Sequence, residues 1–569
     1  MKTRKGRLLI ALVGLAGLAA PVRAQAPTSD LLTLVPSEFG FCMAVHDLRG
    51  HWQRFEQAAW VKAFKQSPFG EALLSAPEFR ELAKFQRDLQ QHLEVDWSTV
   101  RDDILGDAAV FAYRPPDGDK KGEQGLLLVK ARQPETLERL IKKLNQVQMA
   151  AGELKALEEH QHQGVKYFRR VHEKGAPWWY VVQGPVFALA SNETTLKAVI
   201  ERPAQPAAVR PALRRAGAEH ALAALWLNPR FFDAELKAKA KLGLGPDGQL
   251  FTALFDHWKA LDAVVVAVDM KEDVELRLSL LARSGDLPAA AKEWFTRRGQ
   301  TSELWQRFPE NSVFTLAGRT DFRALADGLL ELAPAPVRKV VVDALSKNVG
   351  AAVGLDPLRD VLPNLGPDWG MCVLPASAGK DCPQAIFALG VKPGKKEPGV
   401  DQALYKAMQF FVGLALYQHN AGLDDADKIQ MHTLRQGDVE VKYLAQDRHF
   451  PAGFQPAFAL KDGYLLLATS PVAVQQFQRP AKTAPAAGDD VLMLRLAPTE
   501  LAQLIGLHRE RVLEQMTQKS GQPKAAAAKS LDGLLGLLAL CRTVTLSQRN
   551  GDDQLAWIVR LRMIDGKTR

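Results

Sequence analysis

The sequence predicts an α+β fold, a tandem duplication in which each half is built of antiparallel sheets with helices packed on one face. Three observations carry that reading. Five blocks recur in the same order along the chain, strand-like segments alternate with period two, and the loops between paired strands are too short for parallel crossovers. The composition of the 569 residues, 47% hydrophobic and 24% charged, suits a globular chain.

The chain opens on a basic stretch, Lys2, Arg4, Lys5 and Arg7, followed by the apolar run Leu8 to Ala20 and then Pro21. This pattern, with small residues up to Ala24 and Ala26, predicts a signal peptide over 1–26, cleaved after Ala24 or Ala26. The run falls short of the roughly 20 residues a bilayer span takes, and an uncleaved anchor is the other reading. The remainder of the chain is then exported, to the periplasm or beyond, with no transmembrane segment after the signal. Phe410 to Tyr417 and Leu531 to Cys541 are short apolar stretches flanked by charge, and they read as buried core.

The net charge of +9 includes Lys2, Arg4, Lys5, Arg7 and Arg23 of the leader, which leaves +4 on the remainder. No dense basic patch accompanies it, so no nucleic-acid partner is expected.

The first block is LVPSEFGFCMAVHDL and then a helix-like stretch. Its counterpart is RFPENSVFTLAGRTDF, with Pro36 on Pro309 at an offset of 273. The next pairs Gly106 with Gly366 and Gln124 with Gln384 at 260, and is followed by a helix in each half. Val165-Lys166-Tyr167 matches Val441-Lys442-Tyr443 at 276, while Gly184 falls on Gly463 and Ser191 on Ser470 at 279. Pro229 then falls on Pro498 at 269, ahead of an apolar helix and a strand pair. Alternation is clearest at Val274, Leu276, Leu278 and Leu280, and at Leu555, Trp557, Val559 and Leu561. Pro/Ala-rich linkers at Arg202 to Pro211 and Arg479 to Ala487, with a polar junction near Arg297 to Ser302, divide each half into a larger and a smaller domain. The expected boundaries are 27–205, 206–300, 301–482 and 483–569.

Candidate chemistry is sparse. Gly243-Leu244-Gly245-Pro246-Asp247-Gly248 has dinucleotide spacing, but it follows a helix pattern where a strand is required. His160 and His162, beside Glu158 and Glu159, would share one face of a strand as metal ligands do; the other half keeps only His432. Ser377 and Lys380 have the SxxK spacing of serine acylases, yet in a hairpin loop. Asp102, Asp103 and Asp107, with Asp356, Asp360 and Asp368 in the second half, are candidate acid/base groups or plain helix caps. Trp52 and Trp60 lie on a helix-like face. Trp178 and Tyr180 share one side of a strand and Trp179 takes the other, so one side reads as core and the other as a possible platform. Cys42, Cys372, Cys382 and Cys541 lack metal spacing, and Cys372 and Cys382 flank a hairpin loop that an oxidising compartment could bridge.

The opening LVPSEFGFCMAVHDL, the Leu105-Gly106-Asp107 before a strand and the closing VFALASNETTLKAVI, with their second-half partners, resemble uncharacterised exported bacterial proteins of the DUF3352-like type, in particular the large planctomycete versions. The resemblance covers most of the chain and implies the repeat, but no catalytic residue. The expectation is therefore a non-enzymatic envelope protein with a binding or structural role, no cofactor, no metal, and an unknown envelope component or protein as partner. A carrier of a lipid or other apolar ligand, and a hydrolase using acidic residues, are the alternatives.

Overall fold

The computed structural model describes residues 27–116, 122–202, 207–242, 255, 257–270, 273–288, 291–292, 295, 299–332, 335–349, 354–375, 382–394, 399–446, 448, 450–479, 490–551 and 553–564. Residues 1–26, read as a signal peptide, the Gly243–Gly248 segment and Ser377–Lys380 lie outside them, as does most of 479–487. Two compact units emerge. Unit 1 comprises residues 1–238, 255–287 and 552–569, and unit 2 comprises 239–254 and 288–551.

Unit 1 contains β1 (Phe41–His46), β2 (Ala108–Arg114), β3 (Gln124–Lys130), β4 (Leu154–His162), β5 (Val165–His172), β6 (Trp178–Gln183), β7 (Val186–Ala190), β8 (Ala223–Leu227), β9 (Leu261–Met270) and β10 (Val274–Ala282). Every pairing is antiparallel, in the order β4-β5-β6-β7-β3-β2-β1-β8-β9-β10. Unit 2 contains β11 (Phe314–Arg319), β12 (Leu365–Val373), β13 (Ala385–Val391), β14 (Gln430–Gln436), β15 (Val439–Ala445), β16 (Ala457–Lys461), β17 (Tyr464–Ala468), β18 (Asp490–Leu496) and β19 (Cys541–Gly551). Its order, β14-β15-β16-β17-β13-β12-β11-β18-β19, is the same path through the same kinds of connection. The last strand of the chain, β20 (Gln554–Met563), pairs with β10 inside unit 1.

The register agrees as well as the order. Met43, Phe111, Leu127 and Leu189 stand opposite one another across β1, β2, β3 and β7. Leu316, Met371, Phe387 and Leu467 do so across β11, β12, β13 and β17. The first three pairs stand at the sequence offsets 273, 260 and 260; the fourth stands at 278, one residue from the offset read around Gly184 and Ser191. The cause is the turn: β7 begins at Val186 after Gly184-Pro185, whereas β17 begins at Tyr464 after Asp462-Gly463. Ser191 thus corresponds to Thr469 and Asn192 to Ser470. Asn192 and Ser470 each cap a helix, accepting from Thr195 N and Ala473 N. The hydroxyls of Ser191 and Thr469 accept from Gly125 N and Ala385 N at 2.9 Å, fixing the starts of β3 and β13.

Two expectations change. The piece beginning near 206 continues the sheet of its own half, since β8 pairs with β1 and β18 with β11. Within the linker read at 202–211, Val209 begins the helix Val209–Arg215, which buries Val209, Ala212 and Leu213. Helices on one face alone is also corrected for unit 1. Ala108, Val110, Leu126 and Leu128 share a core with Leu31, Leu196, Val199 and Leu213. On the opposite face Ala109, Leu127, Val129 and Phe187 share a core with Leu89, Val100, Leu137 and Leu144. Central strands that are apolar at odd and even positions need a cover on each side.

Unit 2 is covered less evenly. One face carries a core of Ala317, Cys372, Ile386, Ala388, Leu466, Val474 and Phe477. On the other, Phe387 is 38% and Leu467 43% exposed, where their unit 1 counterparts Leu127 and Leu189 are half-buried and buried. Among the described residues no helix is long and apolar enough to cross a membrane.

Candidate functional site

The acidic candidates are built into caps and turns. Arg101 donates from Nε and Nη2 to Asp102 at 2.6 Å and lies over the Trp52 ring, 5.1 Å from its centroid. The Asp103 carbonyl accepts from Arg132 N at 2.9 Å. Asp356 caps its helical turn through Leu358 N and Arg359 N, while Asp360 accepts from Asp356 N at 3.0 Å. The buried Asp368 accepts from Glu303 N at 3.1 Å. None of these arrangements needs more than an Asp at a turn or cap.

His160 and His162 sit two apart on the edge strand β4, and each is occupied elsewhere. His160 stacks on Tyr167 (centroids 5.4 Å apart, planes at 23°) and also meets Trp179 at 5.4 Å. His162 Nε2 is 2.5 Å from Glu201 Oε1. His432 repeats the first arrangement, stacked on Tyr443 at 5.3 Å and 27°, and each His is the direct cross-strand partner of its Tyr. Flat rings facing across a hairpin are a sheet-stabilising pair. Among the described residues no group of three or more His, Cys, Asp or Glu is placed to hold a metal ion.

The aromatic run resolves into packing on each side of β6: Trp179 is 8% and Tyr180 5% exposed, and Tyr180 Oη accepts from Asn145 Nδ2. Trp178, on the Tyr180 side, is half-buried. Trp52, Phe55 and Trp60 pack on one another at 5.5 and 5.6 Å. Cys42, Cys372 and Cys382 are free thiols. Cys372, buried on β12, stands opposite Ile386, so Cys382 does not share its register. Burial pushes the Cys372 thiol up to about 12, so no thiolate nucleophile is available there.

A cluster that the motif search passed over lies at the end of β1. His46 Nδ1 is 2.7 Å from Thr28 Oγ1, and its ring is 5.9 Å from that of His220. Asp47, at a left-handed φ of 47°, accepts from Gly50 N at 3.2 Å and sits 3.7 Å from Arg54 Nη2. A side chain at Gly50 would place its Cβ 2.4 Å from Asp47 Oδ2, so a larger residue there would push the capping carboxylate aside. Among the described residues, the fully buried His51 has no hydrogen-bond partner on either ring nitrogen. Burial, then Arg54 and His46, push its pKa down to about 2. Burial lowers His46 too and raises Asp107. Thr28 is 2% exposed, too enclosed to act as a nucleophile on a substrate. The cluster is private to unit 1: at the offset of 273, Arg319 replaces His46, Thr320 replaces Asp47 and Ala324 replaces His51. The HDLRGH string was the available signal, but it matches no spacing that binds metal or performs catalysis.

Unit 2 offers a different kind of surface. The helix Val400–Asn420 is held inward by Tyr405, whose hydroxyl donates to Glu440 O at 3.1 Å and whose ring packs edge-on against Phe458. Its far end is clamped by Asn420, which exchanges hydrogen bonds of 2.9 and 3.0 Å with Ile429. Between those anchors Phe410, Phe411, Leu414 and Tyr417 stand exposed, so the buried reading of Phe410 to Tyr417 is overturned. The segment is apolar all round, a pattern that requires cover on two sides. The unit 1 helix in this position, Pro134–Ala150, presents Glu135, Glu138, Arg139 and Lys142 outward instead. A polar depression of about 290 Å³ at the β14–β15 turn, rimmed by Arg435, Asp438 and Glu440, is open to solvent.

Comparison with protein-family models, with curated proteins and with solved structures found no match.

Proposed function

We propose that this chain is an exported, tandemly duplicated envelope protein of the DUF3352-like kind that binds rather than catalyses, and that unit 2 carries its binding surface. The observation that carries the reading is the asymmetry between two units of matching strand order. Over the central strands unit 1 is closed on each face, whereas unit 2 leaves Phe387, Leu467 and the outer face of Val400–Asn420 uncovered. Large exposed apolar patches mark interaction sites in soluble proteins. The duplication is supported by the common register and by the paired caps Asn192 and Ser470. A duplicated scaffold leaves one copy to hold the fold while the other diverges in its surface.

The row Leu316, Met371, Phe387 and Leu467 favours an apolar envelope component, and so keeps the carrier as a second reading. Native mass spectrometry of residues 27–569 purified from their own envelope tests the two. A retained lipid or glycan that Phe387→Asp releases supports a carrier, and a retained protein supports the structural reading. A chain that arrives with nothing bound, and that gives no signal with a solvatochromic apolar dye, would sink both.

A further inference from the structure

We infer that the exposed stripe of helix Val400–Asn420 is the contact with a second copy of this chain, in a two-fold antiparallel packing of the helix on its symmetry mate. This rests on the reading of unit 2 as the binding unit and names one of its partners. With 3.6 residues per turn, Phe410, Phe411, Leu414 and Tyr417 fall within about 60° of Leu414 and form a single stripe. They are 62%, 45%, 43% and 77% exposed.

Area supports a protein partner. Aromatic side chains carry about 150–250 Å² each, so the three rings alone present roughly 280–460 Å². Leu423 and Met431, which follow the clamped helix end in sequence, are also 37% and 39% exposed. A stable interface takes about 800 Å² per partner, which such a patch approaches once its polar rim is counted.

The pattern is also self-complementary, as a two-fold contact requires. An axis beside Gly413 and Leu414 sets Phe410 opposite the mate's Tyr417. It brings the exposed Lys406 toward the mate's exposed Asp424, next to the Asp425–Lys428 ion pair.

Sedimentation equilibrium of residues 27–569 is the test. The expected result is a reversible dimer that Leu414→Glu weakens by roughly a hundredfold, with circular dichroism and melting unchanged because Leu414 is a surface residue. Lys406→Glu weakens it less, and adding Asp424→Lys restores it. Leu414→Cys should crosslink between copies on mild oxidation. A monomer at about 100 μM, or a dimer indifferent to Leu414→Glu, overturns the inference. Dye or envelope-component binding that survives Leu414→Glu but fails in Phe387→Asp would leave the reading of unit 2 standing without the dimer. A dimer that binds nothing else would do the reverse.

Discussion

His51 shows what one residue can decide in this protein. Its imidazole is fully buried, beside Arg54 and His46 and without a hydrogen-bond partner among the described residues, so burial and the two cationic neighbours penalise the charged form. Below pH 6.5 the unfolded chain binds a proton there that the folded chain refuses. The stabilising contribution is complete above 6.5 and is lost as pH falls from 6.5 toward the folded value of about 2. The slope is about 1.4 kcal/mol per pH unit for each such group, and His46 adds to it with the same sign. Urea midpoints should therefore drop between pH 7.5 and pH 5.5, and His51→Leu should flatten that drop. The same variant should be neutral or stabilising at pH 7.5, because an apolar group removes two unsatisfied buried nitrogens. A variant that is acid-sensitive to the same degree as the parent would contradict this account of the cluster.

At the scale of elements, the caps are where the two halves agree most closely. Asn192→Ala should cost about 1 kcal/mol, the ordinary price of an N-cap. Ser470→Ala should cost more, roughly 2–3 kcal/mol, because Ser470 is 3% exposed and also donates to the buried Gln384, which would be left unpaired. Equal losses in the two variants would count against that second role. Strands and helices of this kind were legible from alternation and turn residues alone, down to the register of β1, β2 and β3 against β11, β12 and β13. The one-residue error at β7 and β17 arose because Gly184 opens its turn while Gly463 follows Asp462 in its own. A glycine match is a poor guide when either turn residue can adopt positive φ.

Across the whole molecule, chain order and compact unit part company at the C-terminus. Strand β20 lies at the end of the second half in sequence, yet it pairs with β10 and buries Leu555, Ala556 and Ile558 in unit 1. Arg560 reaches Glu275 at 2.8 Å across that pairing. Burial alone would raise the Glu275 carboxyl, but hydrogen bonds from Arg560 and Arg277 outweigh it and hold the pKa down. Ending the chain at Gly551 should thus expose the edge of β10, lower the melting of unit 1 and promote aggregation through Leu276 and Leu278, already 43% and 38% exposed. Hydrogen exchange would read this directly as lost protection in β9 and β10; unchanged protection would refute it.

The sequence by itself determined the antiparallel α+β character and the recurrence of the blocks. Each of these is written locally, in side-chain alternation, turn chemistry and spacing. The tertiary structure alone decided which apolar segments find a cover. Phe410 to Tyr417 reads as core because its composition demands burial. Burial depends on what packs against a face, and in unit 2 the helix that should close that face turns apolar side chains outward. The His46 and His51 cluster was hidden for the same reason, since its meaning lies in enclosure by neighbours distant in the chain.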